Sequence, residues 1–345
     1  MGGPPFAFPW STFAEFFRTR VEDPGVRDKV FLIYHDDDRK VCRTYTYPEF
    51  GAQVLKLSLF LRERCGLTRG DHLATVLFNH DQTVMVYFAA WVLGLVVVPI
   101  NVAETTEKKR YILEHSEAKV VCCWHEYVEE LESLRNDLPS LQSIVQVTDE
   151  GFSVIQGAPS PSTSLSPCAS LHDHALIVYT SGTTGPPKGV ILTAYNLLID
   201  AEAIAHWHGF GMDDRLMCVL PIHHVNGTVV TLITPFYCQG STVLNRKFKT
   251  ATFWSRVHAE GVTCVSVVPT LLEYLLEDNE DVSTYKLDRF GGFICGAGPL
   301  LVDTAARFED RFPFPIRHGY GLSETTCYSC FLPNDLSPRH HRHWL

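Results

Sequence analysis

Along this 345-residue chain, short apolar runs alternate with longer stretches whose apolar residues recur at helical spacing. Runs of strand length fall at 72–78, 95–100, 118–124, 143–148, 175–180, 216–221, 241–245, 262–268 and 291–296. Amphipathic stretches at 48–65, 106–116, 194–207 and 249–261 read as helices. That alternation predicts an α/β protein whose mostly parallel sheets are covered by helices.

Residues 84–100 carry no charge and approach the length of a membrane-spanning helix, about 17 residues at minimum. The composition changes midway. Residues 84–94 suit an apolar helix ending at Gly94, and 95–100 form a β-branched run containing Pro99. The segment therefore predicts a buried helix followed by a buried parallel strand, with no membrane span.

The same grammar occurs twice. Asp71-His72-Leu73 leads through Val76-Leu77 to His80, then Thr83-Val84, an apolar helix and Gly94. Asp214-Arg215-Leu216 leads through Val219-Leu220 to His223, then Thr228-Val229, an apolar helix and Gly240. Each reads as strand, crossover helix, strand, either by duplication or because βαβ units share this order. The Ser- and Pro-rich stretch 157–170 reads as an exposed linker between two similar subdomains, about 1–160 and 171–345.

Hydrophobic residues make up 46% of the chain and charged residues 20%, a globular composition with ample core material. A formal net charge of −10 excludes sequence-independent nucleic-acid binding, which needs Lys and Arg against phosphates. Small anions stay possible, since a local cradle binds them without a basic surface. Eleven cysteines, scattered and often in apolar contexts, suit buried free thiols in a reducing compartment better than a disulfide framework. The N-terminal residues lack a basic start followed by an apolar run, so no signal peptide is read there. Together these predict a cytoplasmic protein.

Residues 180–189, TSGTTGPPKG, follow an apolar run and hold four hydroxyls, three glycines and Lys188. This is not the phosphate loop in which the lysine opens a helix, because Pro186 and Pro187 remove two donors and disfavour helical backbone before them. Thr180, Ser181, Thr183 and Thr184 supply hydroxyls, Gly182 and Gly185 permit close approach, and Lys188 supplies charge. That set suits a mobile flap over a polyphosphate.

With Val190, the loop resembles the signature of the adenylate-forming superfamily, which includes acyl-CoA synthetases, aryl-CoA ligases, luciferases and peptide-synthetase adenylation domains. Residues 220–227 (LPIHHVNG), 295–300 (CGAGPL) and 319–325 (GYGLSET) resemble further motifs of that family, in its order. Earlier segments at 44–50, 69–77 and 94–101 resemble its N-terminal half. The resemblance implies the family's large N-terminal domain, with ATP-dependent activation of a fatty or aryl carboxylic acid to acyl-AMP and transfer to coenzyme A. It implies that Lys188, the loop hydroxyls and Ser323 contact ATP phosphates, and that Glu324 ligates Mg²⁺. It implies that Tyr320, between Gly319 and Gly321, stacks on adenine, and that His318 reads the adenine amino group where the family has Asn or Gln. Gly296, Ala297 and Gly298 match the turn lining the adenine and acyl pockets, with Gly298 opening space. His224 matches the histidine beside the acyl pocket, shaping or gating entry of the carboxylate.

The family's ribose-binding TGD motif and its mobile C-terminal domain, with a catalytic GK lysine, have no counterpart in these residues. Low activity is therefore expected of the chain alone. A nucleotide- or acyl-binding module without turnover, or adenylation serving an acceptor other than CoA, stays open as an alternative. Cys327-x-x-Cys330, followed by His340, His341 and His343, carries two readings: a zinc site or a chance loop.

Overall fold

The computed structural model describes residues 6–156, 169–180, 185–278 and 280–337. The chain divides into two compact units, residues 1–29 with 46–199, and residues 30–45 with 200–345. The division does not fall at 157–170, a stretch that lies almost wholly outside the described residues. It falls after Ile199, inside the helix Ala194–His208, and the early segment 30–45 belongs with the C-terminal unit. The physical reason is strand pairing: Val30–Asp36 finds its parallel partner at Ser241–Asn245, more than 200 residues on.

In chain order the strands are β1 (Val30–Asp36), β2 (Val41–Thr46), β3 (His72–Val76), β4 (Val96–Ile100), β5 (Val120–Trp124), β6 (Ser143–Thr148), β7 (Gly151–Gln156) and β8 (His174–Thr180). Then come β9 (Lys188–Thr193), β10 (Arg215–Cys218), β11 (Ser241–Asn245), β12 (Cys264–Val267), β13 (Phe293–Cys295), β14 (Ile316–Tyr320) and β15 (Cys330–Phe331). The first unit holds a sheet in the order β7-β6-β5-β3-β4-β8-β9, and the second a sheet in the order β15-β14-β13-β12-β10-β11-β1-β2. The interior pairings are parallel, while β6/β7, β8/β9 and β14/β15 are antiparallel. The predicted α/β class with two mostly parallel sheets is what the chain forms.

Central strands are buried on both faces. Every residue of β4, β5 and β11 is buried, as parallel strands covered by helices require. Pro99 is in register with Thr75 of β3, but β8, on the other side of β4, pairs at Val97 with Leu176, so the proline lies outside that second pairing. The uncharged segment 84–100 divides as its composition predicts. A helix spans Asp81–Val92, Gly94 turns the chain at φ 70°, and β4 comes next. No helix among the described residues is long and apolar enough to cross a membrane.

The helix Tyr47–Cys65 shows how locally such elements are encoded. Thr46 caps it by accepting from Glu49 N, Glu49 accepts in return from Thr46 N at 2.8 Å, and Gly66 ends it at φ 66°. Several elements lack a comparable signal. Strands β1, β2, β7, β9, β14 and β15, and the helices Phe13–Val21, Pro269–Glu277 and Val302–Arg311, are not apparent from the hydrophobic pattern. Most are edge strands or short helices.

Each unit closes a core of its own. In the first, residues of β3, β4, β5 and β6 pack with Ile112, Leu113 and Leu131. In the second, Trp254 is buried among Phe253, Phe290, Phe293 and Phe312. Among the described residues no cysteine forms a disulfide, and Cys65, Cys123, Cys218, Cys264 and Cys295 are buried thiols pushed up to about 12 by desolvation.

Candidate active site

The loop residues belong to the first unit. Ser181, Gly182, Thr183 and Thr184 lie outside the described residues, so their expected contacts have no structural account. Thr180 ends β8 and Lys188 opens β9, and the two are cross-strand partners in an antiparallel hairpin. Lys188 thus starts a strand, as the prolines require, and its side chain is exposed. Gly185 sits at φ 115°, a conformation side-chain-bearing residues rarely adopt.

Residues outside the motif hold the descending arm. Tyr111, from the helix Thr106–His115, donates its hydroxyl to the Pro187 carbonyl at 3.1 Å and stacks on His115. His115 in turn hydrogen-bonds the Tyr179 hydroxyl at 2.8 Å. A Cβ on Gly189 would come within 2.9 Å of Ile177, so the glycine lets β9 lie close against β8. Lys188 is therefore anchored on both sides while its ammonium faces solvent. Tyr111 carries no signal in the sequence, because its partner lies 76 residues away.

The second unit carries the other motifs. Strand β13 ends at Cys295 and runs into Gly296-Ala297-Gly298, with Ala297 at φ 62°. Only the first glycine is sterically required: a Cβ on Gly296 would meet the Tyr328 hydroxyl at 2.5 Å, whereas one on Gly298 would sit 3.6 Å from Pro269 in ordinary contact. A side chain at Gly298 would therefore meet no steric bar. Cys295 pairs with His318 across β13 and β14. His318 is held below its ordinary value by burial, opposed by a hydrogen bond to the Gly298 backbone. A neutral imidazole donating from one nitrogen presents the other as an acceptor, the form that a purine amino group needs.

The turn after β14 is bound by steric limits. A Cβ on Gly319 would meet Phe331 at 2.6 Å, and one on Gly321 would fall 1.6 Å from the Cys327 carbonyl oxygen. With both flanking glycines packed against 327–331, the Tyr320 ring stands out and is 58% exposed. Ser323–Thr325 forms a single 3₁₀ turn, with Ser323 half-buried and Glu324 exposed. A lone exposed carboxylate fits Mg²⁺, which keeps several waters and takes one or two carboxylates together with substrate phosphates. No group of three or more potential metal ligands occurs among the described residues. Of the zinc reading, Cys327 is buried and Cys330 exposed, and His340, His341 and His343 lie outside the described residues.

His223 and His224 stand side by side with ring centres 4.3 Å apart. His223 is half-buried with no partner for Nε2 among the described residues, and desolvation lowers it to about 3, so it stays neutral; His224 is exposed. Directly after them the chain forms a π-helix, Asn226–Ile233, a wide-turned element frequent at functional sites. Asn226 Oδ1 accepts from Ser266 Oγ at 2.6 Å, and its Nδ2 donates to the Tyr328 hydroxyl at 3.2 Å. Tyr328 N donates to the buried carboxyl of Asp200, which desolvation raises to about 7. Asn226, Ser266, Tyr328 and Asp200 are not among the candidates that the sequence singles out, although Asn226 lies within the LPIHHVNG motif and Tyr328 inside Cys327-x-x-Cys330.

Residues 17–343 match the family model described as AMP-binding enzyme. The sulfoacetate–CoA ligase of Cupriavidus necator is 34% identical over 277 residues, covering 79% of this chain and 53% of that protein. The 2-succinylbenzoate–CoA ligase of Bacillus licheniformis is 30% identical over 264 residues, covering 75% of this chain and 51% of that protein. The chain thus spans about half the length of the curated relatives it matches. In fold it is similar to the anthranilate CoA ligase AuaEII in complex with anthranoyl-AMP, with a TM-score of 0.83, 21% identity and coverage of 96% of this chain and 64% of that one. It is also similar to the N-terminal domain of FACL13 from Mycobacterium tuberculosis, with a TM-score of 0.80, 21% identity and coverage of 97% and 81%.

Proposed function

This chain belongs to the AMP-binding enzyme family, and from that membership we propose that the protein activates a carboxylic acid with ATP and passes the acyl group to coenzyme A. A carboxylate oxygen attacks the α-phosphorus of ATP, the bond to pyrophosphate breaks, and an acyl adenylate forms. The thiol of CoA then attacks the acyl carbon, AMP leaves, and the thiol proton passes to solvent.

The observation that carries the reading is the turn at Tyr320. Both flanking glycines are committed to protein packing, and a flat ring is left exposed, which suits stacking on a purine. His318, two residues earlier on the same strand, supplies a neutral imidazole for the purine edge. In the first unit Lys188 is proposed to counter phosphate charge, with hydroxyls of 180–184 and Ser323 as further phosphate donors. Glu324 is proposed as the carboxylate that holds Mg²⁺; the ion would neutralise phosphate charge when bound. Gly296, Ala297 and Gly298, with His224, are proposed to border the acid. The acids in the two relatives' names, sulfoacetate and 2-succinylbenzoate, each carry a second polar group. That supports an acid with a second polar group over a plain fatty acid.

Carboxylate-dependent ATP–pyrophosphate exchange across a panel of acids tests the reaction. Exchange with at least one acid is expected, and none with any acid would sink the proposal. Lys188→Ala is expected to weaken ATP binding about tenfold, the worth of one charge-assisted hydrogen bond. Unchanged binding by calorimetry would remove the lysine from the phosphate site.

A further inference from the structure

Tyr328 lies among the residues that the family resemblance assigns to the acid. Its side chain is 8% exposed. Its hydroxyl lies 2.5 Å from where a Cβ of Gly296 would be, directly against the first residue of the small-residue turn. On the other side the hydroxyl meets Asn226, two residues beyond His224. The ring packs on Phe331 with centres 4.4 Å apart. Tyr328 therefore spans from the Gly296 turn to the segment after His224, which are the two proposed borders of the acid.

Its orientation is over-determined. Ser266 fixes the Asn226 amide at 2.6 Å, Asn226 fixes the phenol at 3.2 Å, and the buried Thr326, at φ 75°, turns the chain inward just before it. A phenol both donates and accepts, and the bond to Asn226 uses one of the two functions. Among the described residues no second partner takes the other. Tyr328, Asn226 and Ser266 thus set a buried phenol, an amide and a hydroxyl beside the two proposed borders of the acid, where a long hydrocarbon chain would need an apolar lining. Laying methylenes against those groups would break their hydrogen bonds or leave them unsatisfied, which is costly in a buried setting.

Taking the acid-activation reading as its basis, we infer that Tyr328, held by Asn226 and Ser266, closes the acyl end of the site and selects a short acid with a hydrogen-bonding group over a long hydrocarbon chain. Tyr328 is a specificity-determining residue in this assignment, and Asn226 and Ser266 are positioning residues.

The test uses N-acyl sulfamoyladenosines, unreactive mimics of an acyl adenylate, whose binding calorimetry reads without turnover. Four probes suffice: the bare sulfamoyladenosine and its acetyl, 3-carboxypropanoyl and dodecanoyl derivatives. The bare and acetyl probes are expected to bind. The carboxypropanoyl probe is expected to bind about tenfold tighter than acetyl, the worth of one hydrogen bond to a charged group. The dodecanoyl probe is expected to bind at least about tenfold more weakly than acetyl. Tyr328→Ala is expected to recover dodecanoyl binding. Tyr328→Phe keeps the ring and should keep the length limit while losing the carboxypropanoyl preference. Dodecanoyl binding as tight as acetyl in the unmodified protein overturns the inference, even if Tyr328→Ala fails to fold, and leaves the nucleotide reading standing. Unaltered carboxypropanoyl preference in Tyr328→Phe overturns the phenol's role. Failure of the bare probe to bind overturns the nucleotide reading itself, and the inference falls with it.

Discussion

The two crossovers written in nearly the same residues do different work. Strands β3 and β4 are joined by the regular α-helix Asp81–Val92; strands β10 and β11 are joined by the π-helix Asn226–Ile233 and the short helix Thr234–Tyr237. Both strand pairs are parallel neighbours. In both, a threonine hydroxyl reaches back to the segment that follows the strand, Thr83 to the Phe78 carbonyl and Thr228 to the Ile222 carbonyl. The registers show the difference. His72 pairs with Val96 and Arg215 with Ser241, so the second crossover is two residues longer. The extra length falls between His223 and Thr228, and that segment holds His224, Asn226 and Gly227.

Two extra residues change how the helix can start. In the first crossover the segment after the strand is spent on a cap, with His80 accepting from Gln82 N and closing the helix start. Ten of the twelve helix residues are then buried, and the unit gains core. In the second, the two extra residues precede the helical stretch, which is as long as the first but begins with the wide turns of the π-helix. Gly227 packs its backbone against Pro221, and Asn226 turns inward to Ser266 and Tyr328. One crossover adds to the core, and the other is the one proposed to border the acid.

That contrast can be broken in order of size. Phe88→Ala, in the middle of the regular helix, is expected to cost about 3–5 kcal/mol in denaturant unfolding while leaving ATP affinity within about twofold. A large affinity loss without destabilisation would deny the first crossover its purely structural part. Asp200 comes next, because its raised pKa is a penalty carried by the second unit's network. Its carboxyl is held up near 7 against an ordinary value near 3.8, so the unfolded chain ionises first as pH rises. The penalty is absent below about pH 4, grows through the interval and is full above about pH 7. Asp200→Asn should therefore stabilise by about 2–4 kcal/mol near pH 8 and have almost no effect near pH 4. A pH-independent difference would show that the carboxyl is not buried as described.

Gly227→Ala places a methyl 2.5 Å from the Pro221 carbonyl oxygen, and backbone must move to accept it. A loss of about 1–3 kcal/mol is expected, together with weaker binding of acyl-adenylate mimics, because Asn226 is its neighbour. Stability lost with binding intact would separate the π-helix from the site. The smallest effects sharpen the likeness between the crossovers. Thr83→Val and Thr228→Val should each cost about 1 kcal/mol, since each removes one hydroxyl bond to a carbonyl of the segment after the strand. Unequal losses would mean that the shared threonine is not doing the same job in both.

Much of the molecule was legible in the amino acids alone, and the reason differs by level. Helix Tyr47–Cys65 announces itself through Thr46, Glu49 and Gly66, since caps are local chemistry. Buried strands β4 and β5 are runs of apolar residues, which a sheet covered on both faces satisfies. Pro186 and Pro187 alone rule out a helix at Lys188, and Lys188 indeed begins a strand. Family and motif order were readable because each motif is a short local string. By contrast, the sequence offers no sign that residues 30–45 join strands beyond residue 200, since pairing of β1 with β11 is a long-range event. Nor does it reveal that Tyr111 holds Pro187, or that Tyr328 rests on Gly296. Those contacts depend on where the sheet places two distant segments, and neither segment carries the other's position. Local backbone preference and burial are properties of residues, and sequence determined them; the polar contacts around Tyr328 depend on distances between chain segments, and only the tertiary structure decided those.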